Sequence, residues 1–89
     1  MDAQNLPIQV IVHCDAGGEL RPLRFRYEDG EHRLHTVQIE QVTDSREVEF
    51  VGIPAILYLC KAIMDGKEHL YELKYTIQSH KWVLFRKIY

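Results

Sequence analysis

His13 and Cys14 place a base directly next to a thiol nucleophile in the sequence. Cysteine enzymes use a thiol that a neighbouring base activates, and a thiol that leaves a strand into the Gly17-Gly18 loop would be accessible. Adjacent residues of a strand point to opposite faces, however, and no glycine-flanked serine elbow accompanies this pair. We therefore predict no catalytic residues, and we keep a thiol-dependent enzyme at His13 and Cys14 as an alternative.

Histidine and cysteine are also the usual zinc ligands, and the chain has five histidines and two cysteines. Their spacing contains neither a Cys-x-x-Cys pair nor a His-Glu-x-x-His helix. His32 and His35 are an odd number of residues apart, so they would diverge on a strand. We expect no metal site and no cofactor, and we expect reduced cysteines rather than a disulfide.

Basic and aromatic residues alternate in residues 21–27. Small curled β domains bind single-stranded nucleic acid by holding its backbone on cations while bases stack on aromatic rings. Period-two alternation puts Arg24 and Arg26 in solvent and the neighbouring aromatic residues, Phe25 and Tyr27, in the core. A weak single-stranded nucleic-acid binder is therefore an alternative function. Its candidate residues are Arg21, Arg24, Arg26, Arg33, Lys81, Arg86 and Lys87.

Large apolar residues in two places offer a surface to a protein partner: residues 48–56 and the end of the last strand. Exposed apolar patches and free strand edges mark interaction sites, although both segments would also fit as core folded over the ends of the sheet. The leading hypothesis is a non-enzymatic accessory or binding module for another protein, or a homodimer formed through an edge strand. The candidate contacts are Phe50, Ile53, Phe85, Ile88 and Tyr89.

Alternation of apolar and polar residues predicts the strands that carry these side chains. Leu23, Phe25 and Tyr27 lead through an Asp-Gly turn at residues 29–30, where glycine is expected to supply a positive φ, into a returning strand. A second hairpin runs from residues 55–63 through Asp65-Gly66 to residues 71–75. Residues 44–54 are ambiguous, and strand or loop is favoured over helix because β-branched residues and a glycine disfavour a helix there.

These segments predict an all-β fold of about six mainly antiparallel strands in a meander, curled into a small open barrel or a two-layer sandwich. Curling is expected because a single flat sheet would leave Leu59, Val83 and Phe85 in water. No repeat or linker interrupts the pattern, so residues 1–89 are expected to form a single small domain.

The composition, with 46% hydrophobic and 27% charged residues, is that of a globular protein. A formal net charge of −2 gives no overall positive field, so any basic site must be local. The longest apolar run, residues 53–60, is far shorter than the roughly 20 residues that a membrane-spanning helix needs. The N-terminus carries an acidic residue where a secretory signal is positive, so we expect a cytoplasmic protein that does not bind membranes.

Three short patterns, Arg21-Pro22-x-x-Phe25-x-Tyr27, Tyr71-Glu72-Leu73 and Trp82-x-Leu84-x-Arg86, are spread over the chain. Together they resemble short bacterial proteins that are grouped as a domain of unknown function, over roughly residues 20–89. The resemblance implies a bacterial accessory protein and implies no catalytic or binding residues.

Overall fold

The computed structural model describes residues 5–89, which form two antiparallel sheets. The strands are β1 (Leu6–Pro7), β2 (Gln9–Cys14), β3 (Leu20–Glu28), β4 (Leu34–Gln38), β5 (Gln41–Phe50), β6 (Ile53–Met64), β7 (Lys67–Thr76) and β8 (Lys81–Lys87). The large sheet has the order β1-β8-β7-β6-β5, and the small sheet has the order β2-β3-β4. The predicted all-β antiparallel class is confirmed. The sheets do not close into a barrel, and the arrangement is compatible with the small sandwich.

Among residues 5–89, none lies in a helix long and apolar enough to cross a membrane. Residues 1–4, on which the expectation of a cytoplasmic protein partly rests, lie outside the described residues.

The chain passes from one sheet to the other at two corners. Residues 5–89 form eight strands rather than about six, because the short β1 precedes β2 and the ambiguous segment contributes β5. One corner is at Ile8, between β1 and β2, and the other is at residues 39–40, between β4 and β5. At the second corner the N–H of Ile39 donates to Leu23 in the small sheet, and the N–H of Glu40 donates to Lys61 in the large sheet. Strands that switch sheets in this way form the corners of a sandwich. The ambiguous segment of the sequence is strand, because most of it belongs to β5.

The main core lies between the two sheets. Phe25 of the small sheet is 1% exposed, and its ring meets Tyr71 of the large sheet edge-on with centroids 5.3 Å apart. Tyr27 packs against the same cluster, whereas Arg24 and Arg26 are exposed, as the alternation predicts. The buried residues of this core are Phe25, Val37, Tyr58, Cys60, Ala62, Tyr71, Leu73 and Leu84.

Leu23 departs from the predicted alternation, because it is 39% exposed while Pro22 is buried. A bulge in the β2–β3 pairing is the cause. Ile11 pairs with Arg24, whereas the next residue, Val12, pairs with Pro22, so Leu23 has no partner on β2. An extra residue in one strand reverses which face of the sheet the side chains beyond the bulge occupy.

The turn between β3 and β4 also differs from the expected one, because the residue with a positive φ is His32 (61°) rather than a glycine. The carboxylate of Asp29 holds this longer turn by accepting hydrogen bonds from the N–H groups of Glu31 (2.8 Å) and Arg33 (3.0 Å). It also contacts Nε2 of His35 at 2.7 Å. The hydrogen bond with His35 and the backbone hydrogen bonds lower the pKa of Asp29 to about 2.

Candidate functional site

The hairpin between β5 and β6 turns at Val51 and Gly52, whose φ angles are 49° and 79°. The next hairpin turns at Asp65 and Gly66, with φ angles of 53° and 72°, as the sequence predicts. Both are two-residue turns in which both central residues need a positive φ. Aspartate and asparagine tolerate the first of these positions, whereas a β-branched residue there is a conformational outlier.

Val51 is therefore strained, and it is also fully exposed, at 101% of its reference area. The left-handed conformation costs a residue with a side chain roughly 1–2 kcal/mol. Packing within this chain does not offset that cost, since the side chain is in water. Strained backbone positions of this kind cluster at functional sites, so this exposed apolar turn is a candidate site.

Two aromatic rings lie close together beside this turn, on the face of the large sheet that points away from the small sheet. The ring centroids of Phe50 and Phe85 are 5.6 Å apart. The ammonium group of Lys74 lies 4.8 Å from the first centroid and 5.4 Å from the second, within the range of a cation–π contact. Ala55 and Leu57 are buried on this outer face, although they do not belong to the core between the sheets. We call Phe50, Val51, Ile53, Lys74 and Phe85 the tip surface.

An ion-paired group adjoins the tip surface on the same outer face. Arg86 donates from Nε to Oε1 of the buried Glu72 at 2.8 Å, and Arg46 lies 3.9 Å from Oε2 of the same carboxylate. One carboxylate thus balances two guanidinium groups. Among residues 5–89, Lys74 forms no ion pair, so this face carries a local positive excess.

Three of the five residues predicted to contact a protein partner come together in the tip surface: Phe50, Ile53 and Phe85. The other two lie near the opposite end of β7, where the N–H of Ile88 donates to Leu70 and that of Leu70 donates to Tyr89. Sequence reasoning missed Val51 and Lys74. A Val-Gly pair between two strand-like segments was the available signal for Val51, whereas Lys74 acquires its place only from the fold.

The seven predicted basic residues do not form one surface. Arg24 and Arg26 lie side by side on the outer face of the small sheet. Their register partners are Gln9, Ile11, Thr36 and Gln38. Within the described part of the chain, neither arginine has an ion-pair partner. These two residues are a flat cationic surface without an aromatic ring among those register neighbours.

The other predicted basic residues are dispersed. Arg33 forms an ion pair within its own turn, and Arg86 lies on the opposite side of the sandwich with its carboxylate partner. Lys87 lies 5.9 Å from the ring of a buried tyrosine, and Lys81 begins β8. Arg21 lines a cleft between the sheets. A single nucleic-acid strand could therefore not contact all seven basic residues along one path.

His13 and Cys14 are both exposed, and the structure gives no contact between their side chains. The Cys14 thiol donates instead to the backbone oxygen of Asp15, at 3.7 Å. Cys60, the other free cysteine, is buried, and burial raises the pKa of its thiol to about 12. Residues 5–89 contain no group of three or more metal-ligating side chains.

No family model, curated protein or solved structure matches this chain. The resemblance to bacterial proteins of unknown function therefore stays a prediction.

Proposed function

We propose that this protein is a non-enzymatic binding module that docks onto another protein through the tip surface. The observation that carries the proposal is the strained and fully exposed Val51, held next to the Phe50 and Phe85 rings. Aromatic and aliphatic anchors of this kind supply much of the free energy of protein interfaces once a partner removes them from water.

The charges around the tip surface indicate the chemistry of the partner. Lys74 lies between the two rings, and Arg46 and Arg86 outnumber the single carboxylate that they share. A matching surface has an apolar pocket for the hairpin turn and carboxylates at its rim, because opposite charges favour encounter and correct orientation. The proposed partner is therefore an acidic protein surface with an apolar centre.

Val51→Asp tests this proposal, because it gives the β5–β6 turn the Asp-Gly pair that the protein already uses at residues 65–66. We expect the free energy of unfolding to rise by about 0.5–1 kcal/mol, since aspartate tolerates the conformation that strains valine. Affinity for the partner is expected to fall by about tenfold or more, because a carboxylate would enter an acidic, apolar site. A more stable protein that binds less well cannot be explained by misfolding.

The measurement is affinity capture from the source cells with quantitative mass spectrometry, followed by calorimetric titration of the purified partner. Leu34→Asp is the matched control, since Leu34 is also an exposed apolar residue (63%) but lies in β4 of the small sheet. A partner retained by the control and lost by Val51→Asp supports the proposal. Equal binding by both variants, or no captured protein, contradicts it.

A second candidate function, weak binding of single-stranded nucleic acid, is favoured by the unpaired Arg24 and Arg26 on the small sheet. This reading predicts that affinity for short single-stranded DNA or RNA falls steeply between about 50 and 200 mM salt, because bound cations release counterions. It also predicts loss of binding when Arg24 and Arg26 are both replaced by glutamate, with Arg33→Glu as the control. An NMR titration that shows salt-independent shifts, or none, would exclude it.

A further inference from the structure

A cleft of about 870 Å³ opens between the two sheets, between the start of β3 and the side of β5. Apolar and aromatic residues line it: Ile56, Tyr58 and Tyr75 of the large sheet, and Ile77 in the turn after β7. Its volume is within the range of sites that hold ligands in other proteins. The cleft lies on the inner face of the large sheet, so it is separate from the tip surface.

Two unpaired strand edges border this cleft. In the described structure β5 pairs with β6 alone, so the backbone groups on its other side are free. The first residues of β3, Leu20 to Pro22, pair with β2, whereas pairing with β4 begins at Arg24. A free strand edge is a template for hydrogen bonding to another extended chain. Here the free edge of β5 is up to ten residues long.

The charges around the cleft indicate which extended chain fits. Glu19 and Glu47 line it and form no ion pairs within residues 5–89. Arg46 pairs with a carboxylate on the outer face, and Asp44 lies in register on that same face. Arg21 is then the remaining cation in the lining. Burial, and after it the charge of Glu19, raise the pKa of the Tyr58 hydroxyl. The cleft is therefore a negatively charged environment.

A second copy of this chain is a poor occupant for the same electrostatic reason. Within β5, Asp44, Glu47 and Glu49 outnumber the single cation, Arg46. Pairing the free edges of two β5 strands would bring these carboxylates together, and like charges across a strand pair are destabilising. A cationic strand on the same edge would instead be attracted by these carboxylates.

We propose that this cleft binds an extended, lysine- or arginine-containing segment of another protein as an added strand on the free edge of β5. Main-chain hydrogen bonds supply affinity in this mode, and side chains on one face of the added strand supply specificity. The lysine or arginine row of the segment faces the cleft, where its cations lie near Glu19 and Glu47 and its aliphatic stems lie over Tyr58 and Tyr75. The proposal does not depend on the tip surface.

The probe is a capped heptapeptide in which lysine alternates with valine, titrated into the full chain. Trp82 reports binding by fluorescence, because its ring lies 5.4 Å from that of Tyr58 and 4.8 Å from that of Tyr75. Amide NMR shifts locate the site, and we expect them in β5 and around the two tyrosines. Two altered peptides separate the contributions: one has glutamate in place of lysine, and one has alternate backbone nitrogens methylated.

We expect each altered peptide to bind at least about tenfold more weakly than the lysine peptide, because the first reverses the charges and the second removes main-chain donors. A variant that combines Glu19→Lys and Glu47→Lys should bind the lysine peptide more weakly by a similar factor. The control variants Glu31→Lys, in the β3–β4 turn, and Val51→Asp should bind it as the wild type does. Equal binding of the methylated peptide, shifts outside β5, dimerisation through β5, or no binding at about 1 mM peptide would each overturn the proposal.

Discussion

We expect Phe25→Ala to lower the free energy of unfolding by about 3–5 kcal/mol, the range for removing a buried aromatic ring. Phe25 is 1% exposed and joins the two sheets through its edge-on contact with Tyr71. Domains of this size are stable by only about 5–15 kcal/mol, so the loss would be a large share of the total. Urea denaturation followed by Trp82 fluorescence measures it.

Leu23→Ala is the matched control, two residues away on the same strand. Strict alternation would place both side chains in the core, but the bulge leaves Leu23 39% exposed. We therefore expect Leu23→Ala to cost less than about 1 kcal/mol. Comparable losses for the two variants would show that β2 and β3 pair without the bulge.

The second large effect concerns the two thiols. At about pH 8 we expect a disulfide reagent to label Cys14 readily and to label Cys60 at least about a thousandfold more slowly. Cys60 is 0% exposed, and its raised pKa keeps the thiol protonated. A Cys14→Ser variant isolates the slow reaction, which then proceeds only through opening of the core. Fast labelling of that variant under native conditions would contradict the packing around Cys60.

The same thiol makes stability depend on pH. The folded state keeps the Cys60 proton up to a pKa of about 12, whereas the unfolded chain releases it near the ordinary value of 9.0. Between these values the folded state binds more protons, so the free energy of unfolding falls as pH rises, by about 1.4 kcal/mol per pH unit at most. Burial also raises the pKa values of Tyr58 and Tyr71, so the contribution of Cys60 is the difference between wild type and Cys60→Ala. If the free energy of unfolding of the two proteins changed with pH at the same rate above pH 9, the predicted contribution of Cys60 would be contradicted.

Local patterns in the sequence were enough for most of the strands, the fold class and the opposite placement of Arg24 and Phe25. The pleat of a strand has a period of two, so neighbouring residues reveal its two faces without knowledge of the partner strand. The turn at Asp65-Gly66 was predictable for a similar reason, since the conformation of a two-residue hairpin limits which residues fit.

The tertiary structure decided the features that depend on distant residues. The exposure of Leu23 follows from a bulge in its pairing with β2, and the strain at Val51 follows from the register between β5 and β6. Phe50 and Phe85 are far apart in the chain and meet only after β6 and β7 have placed them on one face. The cleft likewise exists because the fold places the start of β3 beside β5 of the other sheet. Local patterns specify the strands and the types of these side chains, while contacts between distant strands decide which of the side chains form a surface.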